Sequence, residues 1–294
     1  MMEINSPRVT VLMAVKNGMP YLIQAIESIL GQSYQNFIFI IINDNSEDDT
    51  LSYLNSVTDK RLKIFQIPEN GLINALNFGV QKIETEYIAI MDADDICSTT
   101  RLEKQIIFLD QNPDYVLVGC SIKYFTGNTN ISWSLKLPTE NSKILLGLGN
   151  GIYSISHPTV MVRTEALISI GGYREEAFPN PDYDLYCRLI KLGKISNLKD
   201  EYCFIRLHKT SHTWKNISQI TIKNEYDRYL YFEPNKLKLN NFALNIKVLS
   251  AKFYKDGLYN YLEGDHLKSY MQIFLSGIFA PRRAIFYLLN KINF

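Results

Sequence analysis

The chain has 294 residues, of which 46% are hydrophobic and 21% charged, and its formal net charge at pH 7 is +1. This composition is that of a soluble globular protein, and the length predicts one large domain with an appendage. The sequence has no apolar run of the roughly 18 residues that span a bilayer, which argues against a membrane-spanning protein. It has no basic-then-apolar leader before the first predicted strand, which argues against a secreted protein. Its four scattered cysteines form no Cys-x-x-Cys pair, so we expect a cytoplasmic protein without zinc or disulfides.

Strand-like and helical patterns alternate from residue 9 to about residue 120. The six apolar residues at 37–42, for example, are too few for a typical helix and are rich in isoleucine, which predicts a buried strand. The predicted strands cover 9–15, 37–42, 62–67, 87–91 and 116–120, and the predicted helices cover 21–30, 48–54, 71–82 and 99–110. Such alternation predicts an α/β fold with right-handed crossovers and a mostly parallel sheet.

The pattern loosens after residue 120. Further strands are predicted at 121–125, 131–137, 159–162 and 201–207, with a turn-rich loop at 126–130 and helices near 139–148 and at 183–192. The chain is helical after that. We therefore divide it into a body at 1–212, whose halves meet near residue 120, and a helical C-terminal region at 213–294.

The C-terminal region differs from the body in charge. Residues 209–294 hold 13 Lys/Arg and 6 Asp/Glu, an excess of 7 positive charges, and apolar residues surround Arg282 and Arg283. This mixture is expected of an amphipathic helix lying on an anionic membrane surface. A helical subdomain that packs on the body or on a second subunit would show the same amphipathic pattern. We expect no nucleic acid partner.

Three carboxylates follow the predicted strand at 87–91. Side chains alternate along an extended backbone, so Asp92 and Asp94 leave the strand end on the same side. Ligands of open α/β sheets bind beyond the carboxyl ends of the strands. Capping of the next helix by Asp95 or Ser98 would explain only one of the acids. Paired carboxylates at that position predict a Mn2+ or Mg2+ site, completed by substrate phosphates.

A second acidic cluster follows the strand at 37–42. Asp44 lies at the predicted sheet edge, where its carboxylate would accept hydrogen bonds from a base N–H or from ribose hydroxyls. Asp48 and Asp49 fit the alternative of an acidic helix start. The sequence has neither Gly-x-Gly-x-x-Gly nor Gly-x-x-x-x-Gly-Lys-Ser/Thr, which argues against dinucleotide-binding and Walker-type phosphate sites.

Eight short motifs occur in order along the first 210 residues. They are VTVLMAVKNG at 9–18, IIINDNS at 40–46, ENGL at 69–72 with ALN at 75–77, MDADD at 91–95 with RLEKQ at 101–105, HPT at 157–159, GGY at 171–173, PDYDL at 181–185 and RLH at 206–208. Together they resemble glycosyltransferase family 2. The resemblance implies the A-type fold, with a Rossmann-like nucleotide-binding sheet, a catalytic domain at 1–212 and its acceptor-side half from about residue 121.

The resemblance also implies roles for individual residues. The nucleotide sugar would be bound by Ala14, Asn17, Asp44, Asn70, Asp92 and Ala93. Asp94 and His208 would ligate Mn2+ or Mg2+ at the diphosphate. Asp182 would be the catalytic base, and Asp184 is its rival, although on a helix the two side chains would point about 200° apart.

The implied reaction is inverting transfer of a sugar, of the hexosyltransferase type, from a nucleoside-diphosphate donor, most often a UDP-sugar, to a hydroxyl. The family and the basic C-terminal region together suggest a saccharide acceptor on a lipid carrier, in polysaccharide or O-antigen synthesis. The protein would then be peripheral on the inner face of the cell membrane. Two alternatives stay open. The first is a non-catalytic nucleotide-sugar-binding or scaffold protein, because Asn43 and Pro181 stand where acids are common in the family. The second is a sugar nucleotidyltransferase, which would need a glycine-rich loop after the first strand, and residues 14–18 match such a loop poorly.

Overall fold

A computed structural model describes residues 6–67, 70–126, 132–152, 154–232 and 241–279. The strands in these ranges are β1 (Val9–Val15), β2 (Phe37–Asn43), β3 (Leu62–Gln66), β4 (Tyr87–Ile90), β5 (Ile96–Cys97), β6 (Tyr115–Phe125), β7 (Ser132–Leu135), β8 (Met161–Arg163) and β9 (Lys194–Arg206). The α-helices are α1 (Leu22–Leu30), α2 (Thr50–Ser56), α3 (Leu72–Val80), α4 (Arg101–Gln111), α5 (Asn141–Gly149), α6 (Thr164–Ser169), α7 (Pro181–Leu189), α8 (His212–Lys215), α9 (Ile217–Phe232), α10 (Asn241–Leu262) and α11 (His266–Phe279).

All described strands join one sheet, in the order β3-β2-β1-β4-β8-β6-β9-β5, with β7 paired to β6. The first four neighbours, β3 to β4, are parallel, as the strand-helix alternation predicts. β8 runs antiparallel between β4 and β6, whereas β6 and β9 are parallel to each other. The fold is therefore α/β, with a parallel first half and a mixed second half.

Both faces of the parallel half are covered by helices. Side chains of successive residues point to opposite faces, so Ile40 and Ile42 pack in one cluster with α3, while Phe39 and Ile41 pack in another with α1 and α4. All four of these side chains are at most 1% exposed. The continuous apolar run of β2 thus follows from burial on both faces.

Several elements differ from the sequence prediction. The predicted strands at 116–120 and 121–125 are one strand, β6, and β9 begins at Lys194 rather than at residue 201. β5 and α6 were not predicted. Residues 127–130 of the predicted turn-rich loop lie outside the described residues, as do Arg282 and Arg283.

The C-terminal helices pack on the body. Leu258 and Leu262 of α10 form a small apolar cluster with Leu207, flanked by Tyr124 and Trp133. α10 also packs against α9 and α11. This contact with the body is one of the two arrangements that the amphipathic sequence allows. Among the described helices, none is both long enough and apolar enough to cross a membrane.

Arg101, the first residue of α4, is fully buried. Its guanidinium donates hydrogen bonds to the carbonyl of Ile90 at 2.7 Å and to that of Val160 at 3.4 Å, and its Nε donates to Gln105 Oε1 at 3.1 Å. Gln105 donates in turn to the carbonyl of Thr159 at 2.7 Å. The network ties α4 to the last residue of β4, and so it fixes where the chain leaves the sheet.

We expect Arg101→Ala to lower the free energy of unfolding by about 3–5 kcal/mol, because it opens a cavity and leaves buried carbonyls without donors. Urea unfolding measures the change. Lys104→Ala, at an exposed position of the same helix, is the control and should cost less than about 0.5 kcal/mol. Similar small losses in both variants would contradict a structural role for the network.

Candidate active site

A cleft of about 1830 Å3 opens beyond the carboxyl ends of β1 and β4 and extends to α10 and α11. Its walls come from both halves of the body and from the C-terminal helices. The predicted site residues that line it are Ala14, Asn17, Asp92, Ala93, Asp94, Asp182 and His208. Folding thus brings together side chains up to about 190 residues apart in sequence, at the sheet edge where ligands of α/β proteins bind.

Three carboxylates lie together where the chain leaves β4. Oxygens of Asp92, Asp94 and Asp95 are within 4.8 Å of one another. Asp95 is buried and accepts a hydrogen bond from the backbone N–H of Arg206 at 2.8 Å. The side chains of Asp92 and Asp94 are 48% and 32% exposed. Asp95 therefore fastens the acidic loop to β9, and its two neighbours face the cleft.

The end of β9 supplies the groups that meet these acids. His208 Nε2 lies 2.7 Å from Asp94 Oδ2, and its Nδ1 lies 2.7 Å from the Thr210 hydroxyl. The Tyr21 ring centroid is 4.9 Å from that of the imidazole. Arg206 Nε donates to the Asp94 carbonyl at 2.9 Å. Backbone, guanidinium and imidazole thus fix Asp94 from one side.

Asp182 stands in the first turn of α7 and is only 9% exposed. Its Oδ1 accepts a hydrogen bond from the Tyr183 N–H at 3.0 Å, and its side chain borders the cleft. Asp184 has a different environment: Arg188 binds it through two nitrogens at 2.6 and 2.8 Å, and the Tyr231 hydroxyl donates to its other oxygen. Asp184 thus forms a buried ion pair, whereas Asp182 borders the cleft.

Burial and like charge shift the pKa values of the cleft carboxyls upward. Partial desolvation in the cleft, reinforced by the negative charges of Asp94 and Asp182, raises the pKa of Asp92. Burial raises the pKa of Asp182 to about 6, against the opposing effect of backbone hydrogen bonds. The pKa of the buried Asp182 therefore lies above that of a free carboxyl, a property common among carboxyls in catalytic sites.

His157 lies beside this cluster in the turn before β8. Its Nε2 is 2.9 Å from the Tyr173 hydroxyl and its Nδ1 is 3.9 Å from Asp92 Oδ1. Burial lowers the pKa of His157 to about 4, so the imidazole is neutral at physiological pH. It therefore contacts Asp92 as a neutral polar group and not as a cation.

Asp44 and Asn70 lie next to the cleft rather than in its lining. The backbone N–H of Asp44 donates to the carbonyl of Val15 at 2.8 Å, and its carboxylate accepts from the N–H of Gly71 at 3.1 Å. Asn70 Oδ1 accepts from Asn45 Nδ2 at 2.6 Å. These side chains hold together the loops after β2 and β3.

The donor set of the cleft suits a divalent cation. Carboxylate oxygens of Asp92 and Asp94 and the imidazole of His208 converge, and Mn2+ and Mg2+ accept such oxygen-rich sites. Mutual repulsion of the carboxylates, visible in the raised pKa of Asp92, is the electrostatic imbalance that a cation would relieve. The residues present therefore fit the predicted metal.

Tyr21, Arg206 and Lys255 also line the cleft, and no role was assigned to them from the sequence. Arg206 belongs to the motif RLH at 206–208, but its contacts to the acidic loop depend on tertiary packing. Tyr21 and Lys255 stand in helical surroundings with no local pattern that separates them from other surface residues. Only tertiary structure brings them to the site.

Comparisons with known proteins found similar sequences. The model of the family described as Glycosyl transferase family 2 matches residues 10–171. An uncharacterized glycosyltransferase of Haemophilus influenzae is 30% identical over 273 residues, which are 84% of this chain and 79% of that protein. The O-antigen biosynthesis glycosyltransferase WbnJ of Escherichia coli is 34% identical over 186 residues, which are 62% of this chain and 71% of WbnJ.

Two solved structures share the fold. S. aureus TarS in complex with UDP-GlcNAc has a TM-score of 0.59 at 17% identity, covering 94% of this chain and 92% of that one. The mannosyltransferase PcManGT from Pyrobaculum calidifontis, in complex with GDP-Man and Mn2+, has a TM-score of 0.59 at 16% identity, covering 97% and 86%. The predicted fold class is confirmed by these matches.

The raised pKa of Asp182 predicts a pH-dependent penalty in the metal-free protein. The folded state retains a proton that the unfolded chain, with a carboxyl pKa near 3.9, releases, so this group's contribution to stability falls as pH rises from about 4 to about 6. We expect Asp182→Asn to raise the free energy of unfolding above pH 6 by about 1–3 kcal/mol and to have little effect near pH 4. Urea unfolding in EDTA at both pH values measures it.

Asp184→Asn is the matched control, because the same substitution two residues away breaks the buried pair with Arg188. It should lower the free energy of unfolding by about 3–5 kcal/mol. If Asp182→Asn were equally destabilising at neutral pH, Asp182 would be a structural carboxylate like its neighbour.

Proposed function

Because the chain belongs to glycosyltransferase family 2 and is a glycosyltransferase, we propose that it moves a sugar from a nucleoside-diphosphate donor to an acceptor hydroxyl with inversion at the anomeric carbon. The observation that carries the proposal is that one cleft holds both an acid cluster suited to a divalent cation and a separate buried carboxylate, Asp182. We propose this reaction in preference to the two alternatives that the sequence left open, a non-catalytic binding or scaffold protein and a sugar nucleotidyltransferase.

The donor end lies around β1 and β4. Ala14 and Asn17 border the nucleotide, Asp92 and Ala93 the ribose, and the loops held by Asp44 and Asn70 enclose the base. TarS with UDP-GlcNAc and PcManGT with GDP-Man, which share the fold, support a nucleotide-sugar donor, and UDP is the carrier we propose.

Asp94 and His208, with Asp92 beside them, would hold Mn2+ or Mg2+ at the donor diphosphate. When bound, the ion supplies Lewis-acid neutralisation of the negative charge that develops on the leaving group. PcManGT was solved with Mn2+, which supports Mn2+ first. Contacts with Thr210 and Tyr21 hold the orientation of His208, so its imidazole would be preorganised to bind the ion.

The proposed base is Asp182. The acceptor hydroxyl attacks the anomeric carbon, its proton passes to the Asp182 carboxylate, and the nucleoside diphosphate leaves from the opposite face. A base is most effective when its pKa lies near the working pH, and burial raises the pKa of Asp182 to about 6. Asp184 cannot serve in the same way because Arg188 and Tyr231 occupy its oxygens.

The acceptor we propose is a lipid-linked saccharide of a cell-surface polysaccharide or O-antigen. The similarity to WbnJ supports this class. The surface of α11 supports a membrane location: its exposed apolar residues follow helical spacing and form one stripe, consisting of Leu267, Tyr270, Met271, Phe274 and Ile278. Phe274 and Ile278 also line the cleft, so the stripe reaches the active site. An anionic membrane surface would suit the basic C-terminal region.

Titration of UDP and GDP in the presence of Mn2+ or of EDTA tests the donor site. We expect the wild-type protein to bind one of the two with Mn2+ and to bind it at least tenfold more weakly in EDTA. Asp94→Ala should abolish this metal dependence. Asp182→Asn should bind the same diphosphate normally, but should release sugar from the matching nucleotide sugar roughly 10²-fold or more slowly.

Two results would contradict the proposal. Binding that ignores both Mn2+ and Asp94 would remove the metal from the site. Normal sugar release by Asp182→Asn, with loss in Asp184→Asn variants that remain folded, would move the base to the rival residue.

Co-sedimentation with phospholipid vesicles tests the stripe on α11. We expect the wild-type protein to bind vesicles that contain phosphatidylglycerol and not pure phosphatidylcholine. The double variant Leu267→Gln, Met271→Gln should bind roughly tenfold or more weakly, because each change removes apolar area from the interface. Ile168→Gln, which changes an exposed apolar residue of α6, should leave binding unchanged. Equal binding by the α11 variant would assign the stripe to another contact.

A further inference from the structure

Lys255 of α10 lies in the wall of the cleft that also contains Asp94 and His208. It is partly buried, and its Nζ lies 5.5 Å from the centroid of the Trp214 ring. Trp214 is itself held by an edge contact with Tyr259 at 5.4 Å. The lysine is therefore placed by packing between α8 and α10, in a position that the family motifs do not reach.

The ammonium of Lys255 lacks a counterion at hydrogen-bonding distance. Across the described residues it donates no hydrogen bond and has no carboxylate within 4 Å, in contrast to Lys136 of the same cleft, which pairs with Glu201 at 2.7 Å. Burial lowers the pKa of Lys255 to about 8, while the charges of Asp94 and Asp256 favour its ammonium form. The group thus stays mainly cationic at neutral pH.

We propose that Lys255 binds a phosphate group of a substrate, an inference that rests on the function proposed above. A partly buried cation without a counterion is costly, and a phosphate that enters the cleft would supply the missing charge-assisted hydrogen bonds. Lys255 lines the same cleft as Asp94, which we place at the donor diphosphate. The donor diphosphate is therefore the first source of this phosphate.

The acceptor is the second source. Apolar residues of the cleft next to Lys255, including Tyr254 and Leu258 on the same helix, would suit the lipid of a lipid-linked saccharide, whose phosphate would lie at the border between apolar and polar walls. Both sources present the same chemistry to the lysine. Binding experiments with separate probes distinguish them.

Calorimetric titration of the full chain tests the proposal, with UDP and GDP in Mn2+ as the donor probes and farnesyl diphosphate as the acceptor probe. Lys255→Gln should raise the dissociation constant of one class of probe by roughly 10- to 100-fold, the value of one hydrogen bond to a charged group. Lys255→Arg, which keeps the charge, should restore most of the affinity. Lys268→Gln, at an exposed lysine of α11, carries the same loss of charge and should change nothing.

The outcome in each arm has one meaning. Weaker binding of the nucleoside diphosphate places Lys255 at the donor, and weaker binding of farnesyl diphosphate alone places it at the acceptor. Unchanged binding in both arms, with Mn2+-dependent nucleotide binding still lost in Asp94→Ala, overturns the role of Lys255 and leaves the proposed function standing. A wild-type protein that binds neither UDP nor GDP overturns both. The melting temperature of ligand-free Lys255→Gln should equal or exceed that of wild type, which separates lost binding from lost folding.

Discussion

Negative charge is concentrated where the chain leaves β4, and much of the surrounding structure serves to hold it there. Three aspartates in four residues place carboxylate oxygens within 4.8 Å of one another. Their repulsion would move the loop outward if it were free to relax. Arg101 holds the end of β4 by donating to the carbonyl of Ile90. The N–H of Arg206, at the end of β9, binds Asp95, and the imidazole of His208, two residues later, contacts Asp94.

The cost of this arrangement explains how the site would use cations. A nucleoside diphosphate brings further negative charge to a cleft in which neighbouring carboxylates already contribute to the raised pKa of Asp92. An anionic substrate enters such a site only if positive charge enters with it or is already in place. The donor set of Asp92, Asp94 and His208 meets the first condition, and the unpaired ammonium of Lys255 meets the second.

The elements of the parallel half could be predicted because their signals are local. β2 is buried on both faces, so six consecutive apolar residues are enough to identify it. The second half gave weaker signals for physical reasons: Ser121 interrupts the apolar run of β6, yet it is fully buried and its hydroxyl accepts the N–H of Leu137. β5 has two residues and α6 has six, so neither spans enough positions to show a period.

The site divides in the same way. Asp92, Asp94 and Asp182 stand at element ends, where a carboxylate in sequence already indicates a position at the sheet edge or the helix start. The preference for Asp182 over Asp184 draws on the structure, because Asp184 pairs with Arg188 one turn later in α7 and accepts a hydrogen bond from the Tyr231 hydroxyl of α9. Lys255 could not be predicted, because its place in the cleft depends on how α8 and α10 pack.

The donor and acceptor ends of the cleft also come from different parts of the chain. The family model ends at residue 171, and it includes the strands and loops that we propose for the nucleotide and the acidic cluster that we propose for part of the metal site. Asp182, His208 and the C-terminal helices come after it. A nucleotide diphosphate is a shared requirement of such enzymes, whereas acceptors differ, and functional variety on a common fold resides in the parts that change. We therefore propose that the walls contributed by α8 and α11 select the acceptor. Helix α10, which packs on the body through Leu258 and Leu262, places Lys255 in the cleft that donor and acceptor would share.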